Sequence, residues 1–213
     1  MQLFTRMMLL GGNTTDAMEW ATKTTAYVND HSDHDVTAWA AGFGHPIGTV
    51  VWSSWMTSHA DLLTAFGGLG DDKGYDKLIR SGEAFTTSAP QDSMRQLIHP
   101  TALPTDGTPP EIGAVGVVTT AVAAGGKYAE AMAFGVGIAE HVTSISGMAT
   151  SFLADMYGTF GLVSWIGVAP SMAAADAAND AINGDVAYMK MLGDVGDLFV
   201  PGSGHRALYT RFA

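Results

Sequence analysis

Short apolar runs alternate with amphipathic stretches along the whole chain. Residues 3–10 (LFTRMMLL) predict a strand that Gly11-Gly12-Asn13 ends. Thr14, Thr15 and Asp16 supply N-cap chemistry, and Ala17, Trp20, Ala21, Thr24 and Val28 recur at helical spacing. A helix to about Asp30 follows from that pattern. Residues 35–41 and 47–56 predict a second and a third strand, the latter rich in β-branched and aromatic residues, across the turn Gly42-Phe43-Gly44-His45-Pro46. Ser58 followed by Asp61 resembles a capping box and opens a helix expected to stop at Gly67-Gly68. A shorter helix over 73–80 and a strand over 93–99 complete this half.

Pro100 to Pro110 (PTALPTDGTPP) is a linker, because proline fixes φ and donates no ladder hydrogen bond. The order then recurs: strand 112–123, helix 128–144, strands 149–156 and 162–168, a helix opened by Pro170-Ser171, and strand 206–212. An offset of 113 positions lays Gly48, Val50, Trp52, Ser58 and Ala60 on Gly161, Val163, Trp165, Ser171 and Ala173, and Tyr75 and Lys77 on Tyr188 and Lys190. Such self-similarity predicts two copies of one folding unit, residues 1–100 and 111–213, joined by linker 101–110. Each reads β-α-β-β-α-β, the ferredoxin-like order, giving an α+β fold.

Hydrophobic residues make up 47% of the chain and charged ones 15%, enough apolar material for a core and too little charge for a disordered chain. The formal net charge is −11, and the ten basic residues are scattered singly. Nucleic acid and anionic membrane surfaces, which need clustered Lys and Arg, are therefore not expected as partners. The absence of cysteine excludes disulfides and thiolate chemistry and fits a cytoplasmic protein. No apolar tract reaches the ~20 residues of a membrane span, and the apolar run at the N-terminus is too short for a signal peptide.

Positions that both copies keep read as scaffold; positions that one copy alone carries are where a site is sought. His45 stands against Gly158. It is either a surface turn residue or a proton-transfer group active near neutral pH. Arg6 stands against Thr119 and shares a strand face with Phe4, Met8 and Leu10. It either snorkels at the sheet margin or lines a polar spot in a cavity, where a guanidinium binds a carboxylate or enolate oxygen. Trp39 and Trp55, whose nearest counterparts are Phe152 and Val168, are core or the wall of an aromatic-ligand site. His59 follows the capping Ser58, where the helix dipole favours the neutral imidazole. The HSDHD run (31–35) reads as a loop rather than a metal site, and the glycine-rich segment 67–74 as a loop rather than a phosphate cradle, since it follows a helix and carries two carboxylates.

This order of elements, given twice, resembles the dimeric α/β-barrel superfamily in its tandem-duplicated form. The resemblance covers nearly the whole chain and rests on element order and repeat, not on a signature motif. It implies two sheets closed into one barrel. Branches of the superfamily include monooxygenases of antibiotic biosynthesis, polyketide cyclases, muconolactone isomerases and haem-binding chlorite dismutases. The last would place an axial His and a distal Arg in the second unit. His141, His205, Arg206 and Arg211 match no such pattern, so no cofactor is expected. The expectation is a homo-oligomeric protein binding a small apolar or aromatic molecule. As a cofactor-independent isomerase, cyclase or monooxygenase it would use His45 and Arg6 as catalytic groups and Trp39, Trp55 and His59 as ligand contacts. The alternative is a non-catalytic assembly subunit.

Overall fold

The computed structural model describes residues 1–99 and 108–213, so most of the proline-rich linker lies outside the described residues. The elements are β1 (Gln2–Leu9), α1 (Thr14–His31), β2 (Thr37–Phe43), β3 (Thr49–Met56), α2 (His59–Gly70), α3 (Lys73–Ser81), β4 (Gln91–His99), β5 (Val115–Val122), α4 (Tyr128–Ser146), β6 (Ala149–Asp155), β7 (Leu162–Ala169), α5 (Met172–Gly184), α6 (Val186–Gly193) and β8 (His205–Arg211). The fold is mixed α+β. Among the described residues, no helix is long and apolar enough to cross a membrane.

The strands close into one barrel in the order β1-β3-β2-β8-β5-β7-β6-β4, every neighbour antiparallel. Two seams, β2–β8 and β4–β6, join the halves of the chain. The C-terminus also crosses over: Ala38 N–H donates to the Ala213 carbonyl at 2.8 Å, and Phe212 packs on the core of the first half. That core holds Leu10, Ala17, Trp20, Ala21, Ala38, Val50 and Trp52, so one face of β1, β2 and β3 meets α1. The other face of these twisted strands looks into the barrel, as the two-residue alternation requires. It is polar in places. Thr5 and Ser93 hydroxyls lie 2.7 Å apart, and Trp39 Nε1–H donates to Thr37 Oγ1 and Ser53 Oγ at 2.9 and 3.1 Å. Arg95 Nε–H donates to Asp155 Oδ1 at 3.0 Å across the β4–β6 seam.

The repeated residues have structural roles. Gly48 and Gly161 both have positive φ, +92° and +81°, and their carbonyls accept from Leu10 N–H (2.9 Å) and Ala123 N–H (2.8 Å). Any L side chain is strained there. Ser58 and Ser171 cap α2 and α5, their hydroxyls accepting from Asp61 N–H and Ala174 N–H at 3.1 and 3.2 Å.

Three local expectations are corrected. The helix expected to end at Gly67-Gly68 continues to Gly70, and segment 67–74 is two helices meeting at Asp71-Asp72 rather than a loop. Asp72 caps α3 by accepting from Gly74 and Tyr75 N–H, which uses the carboxylate structurally. A separate α6, capped by Asp185, follows α5 where one helix was expected.

Candidate functional site

Between α1, α2 and the sheet of the first half lies a hollow with a cavity volume of about 70 Å³. Phe4 and Arg6 of β1, Trp52 of β3, Leu62 and Phe66 of α2, and Tyr75 of α3 line it, with His34 at the α1–β2 loop. Its mostly apolar wall suits a small apolar ligand.

The second half is packed differently, and ladder register shows how. Ala38 of β2 is the cross-strand partner of Trp52, and Phe152 of β6 is that of Trp165. A phenyl ring thus stands beside the second-half tryptophan where the first half has a methyl group. The offset of 113 instead set Trp39 against Phe152, one residue out of register. Helices α4 and α5 pack against each other, whereas α1 and α2 make no comparable contact. Ile138, Val142, Met148, Ala175, Ala178 and Ile182 form a closed apolar cluster there. The α1–β2 loop, residues 32–36, is also longer than the α4–β6 connection, residues 147–148, and the extra length carries His34.

Arg6 dominates the hollow's chemistry. Its Nε–H and Nη2–H donate to Asp92 Oδ1 and Oδ2 at 2.8 and 2.7 Å, a bidentate fork. These bonds push the guanidinium pKa up. The guanidinium carbon sits 5.2 Å from the Phe66 ring centre and 5.9 Å from that of Phe4. Nη1 has no hydrogen-bond partner among the described residues. Tyr75, a position common to both halves, brings a phenol whose pKa burial pushes up. At the rim, His34 Nε2 lies 3.3 Å from Asp61 Oδ1. Asp61 accepts from Thr57 N–H and Oγ1–H, both at 2.9 Å, and these bonds hold its carboxyl below the usual range. The imidazole and the carboxylate are near neighbours, a pairing that suits proton exchange.

The structure brings Arg6 to this hollow and leaves the other predicted site residues outside its lining. His45 is half-buried at the β2–β3 turn, its ring 5.1 Å from His205 and 5.7 Å from Tyr209. Burial, then the neighbouring His205, lower its pKa. Its contacts share no residue with those of Arg6. Trp39 is engaged with Thr37 and Ser53, Trp55 is half-buried on β3, and the His59 ring meets Tyr157 edge-on at 5.4 Å. Among the described residues, no cluster of His, Asp or Glu is arranged to hold a metal; in the HSDHD run, His31 ends α1 and His34 turns to Asp61. Sequence reading missed Asp92, Tyr75 and the pairing of His34 with Asp61. Tyr75 stood within the repeat and read as scaffold, and nothing in the spacing of the others marks partners so far apart.

No family model and no curated protein matches the chain. Solved structures do. A proposed monooxygenase from Fusobacterium nucleatum is similar at 9% identity, with 100% of this chain and 92% of that one covered and a TM-score of 0.72. A proposed monooxygenase from Lactobacillus acidophilus gives 10% identity, 99% and 93% coverage and 0.65; an anthrone oxidase-like protein gives 16%, 100% and 91%, and 0.65. These likenesses extend over the full barrel. With its eight antiparallel strands closed within one chain, this protein shares its fold with these dimeric α/β-barrel proteins.

Proposed function

We propose that the first-half hollow binds a small apolar or aromatic molecule and that the protein is a cofactor-independent enzyme of isomerase, cyclase or monooxygenase type. The two halves, read as fused ferredoxin-like copies, divide the work: the recess that carries Arg6 lies in the first. The observation that carries this reading is Arg6, oriented by Asp92 and stacked on Phe66, in the same apolar recess as the His34–Asp61 pair. His34 Nδ1 would take a proton from the ligand, Asp61 would stabilise the resulting imidazolium, and Arg6 Nη1 would donate to the oxygen that gains charge. The neighbours named as monooxygenases and as anthrone oxidase-like support a small-molecule role on this fold. His34 replaces His45 as base because it lines the recess with Arg6. Mass spectrometry of co-purifying molecules, followed by binding and turnover with Arg6→Ala and His34→Ala, tests it. Wild-type binding and turnover in both variants would refute the reading.

A second reading, a non-catalytic assembly subunit, is favoured by Ile47 and Phe160. These residues lie 113 positions apart in the β2–β3 and β6–β7 turns, 92% and 93% exposed. Light scattering on Ile47→Asp and Phe160→Asp decides it: an assembly that dissociates in both supports this reading, and a protein monomeric before substitution excludes it.

A further inference from the structure

The Arg6 guanidinium has two usable edges. Asp92 occupies the Nε/Nη2 edge with both carboxylate oxygens. The Nη1 edge is left for a ligand. Asp92 therefore does more than orient the fork: it neutralises the cation that a ligand would meet.

The charges around the recess extend this point. Arg6 is the only fixed cation among the described residues that line the hollow. Two carboxylates, Asp92 and Asp61, are bonded to its lining groups. Their sum with Arg6 is −1 when His34 is neutral and zero when it is protonated. A carboxylate ligand arriving at Nη1 would lose its hydration and set a further negative charge beside Asp92, on a cation already paired. An uncharged carbonyl or hydroxyl oxygen has no such opposition and needs only the donor. The chain's net charge of −11 adds to the bias against anions. A cationic ligand is opposed differently: it would meet the Arg6 guanidinium, a like charge, and the Phe66 ring is already covered by that cation.

We propose that this site selects an uncharged ligand presenting a hydrogen-bond-accepting oxygen on an apolar body, that it discriminates against carboxylates, and that Asp92 is the residue that sets the preference. The inference rests on the reading of the hollow as a ligand site.

Three probes of one shape test it by calorimetric titration: 2-acetylnaphthalene, 2-naphthoate and 2-naphthylmethylamine. The ketone should bind the wild-type protein at least tenfold more tightly than the carboxylate, and the ratio should shrink at high salt as the repulsion is screened. Asp92→Asn should bring the ratio to within about threefold of unity or invert it, chiefly through tighter naphthoate binding. The wild-type comparison stands without any variant, and the circular dichroism of Asp92→Asn checks its fold. Tighter wild-type binding of naphthoate, or an unchanged ratio in folded Asp92→Asn, overturns the selectivity while leaving the site reading intact. Tightest binding of the amine also overturns it, since carboxylates rather than Arg6 would then govern the site. If none of the three binds, the reading of the hollow itself fails, and the selectivity with it.

Discussion

Arg6 and Asp92 are cross-strand partners in the β1–β4 ladder, and their side chains close two parallel hydrogen bonds of 2.8 and 2.7 Å. Register alone brings them together across 86 residues. The pair turns a strand arginine into a fixed donor aimed at an apolar recess.

Replacing Arg6 by lysine keeps the charge and loses the fork. Lysine's ammonium does not reproduce a planar bidentate contact and leaves no second edge for a ligand. Affinity for 2-acetylnaphthalene should fall by about tenfold or more, the loss of one charge-assisted hydrogen bond. The half-exposed pair adds little to stability, so the thermal midpoint should move by less than about 4 °C. Calorimetric titration and a melting curve read the two quantities.

Gly135 of α4 lies against the ring of Phe152, which is fully buried. A methyl group at Gly135 would fall inside the van der Waals envelope of that ring, and a core phenylalanine has no room to swing aside. Gly135→Ala should destabilise the protein by about 1–3 kcal/mol through overpacking. In the Phe152→Leu background the same change should cost less, because the shorter side chain yields space. Denaturant midpoints of the four proteins check the coupling.

Arg95 and Asp155 form an ion pair across the β4–β6 seam, with side-chain exposures of 17% and 4%. Burial holds the Asp155 carboxyl above its ordinary pKa even though Arg95 pulls it down. Arg95→Met should cost about 3 kcal/mol by leaving a buried carboxylate alone, and Arg95→Met with Asp155→Leu should cost less than that single change. The sign with pH is fixed. The folded state binds the Asp155 proton more tightly than the unfolded state, so protonation favours folding below the ordinary carboxyl range and the benefit is lost as pH rises through the folded pKa. The Arg95→Met deficit should therefore shrink on acidification from neutral pH, as measured by denaturant unfolding.

His45 should titrate below a free imidazole in an NMR pH series, because burial and, second to it, His205 oppose its charge. His205→Ala should raise the His45 pKa part of the way only, since burial is the larger cause. A full return to the ordinary value would show that His205, not burial, holds it down.

Much of the fold is legible in the chain because its causes are local. Strand and helix periods, the capping Ser58 and Ser171, and the positive-φ Gly48 and Gly161 each act within a few residues of themselves. The helix ends were less legible. Gly67 and Gly68 read as a stop, yet α2 runs through them to Gly70, where Leu69 is buried and anchors the last turn. Arg6 was singled out because its strand face and its lack of a counterpart are both sequence properties, and it lines the candidate recess. His45 carried the same asymmetry and lies elsewhere, since asymmetry marks difference without giving position.

The sequence by itself determined the order of the strands and of most helices, the repeat, the scaffold glycines, the capping serines and an arginine on an apolar strand face. These depend on backbone geometry and on neighbours within one turn or one strand. Tertiary structure alone decided the rest: that Asp92 faces Arg6, that His34 lies beside Asp61, and that Ala38 stands next to Trp52 where Phe152 stands next to Trp165. Barrel register and the gap between α1 and α2 are collective results of packing many side chains at once, and a single residue's spacing carries no record of them.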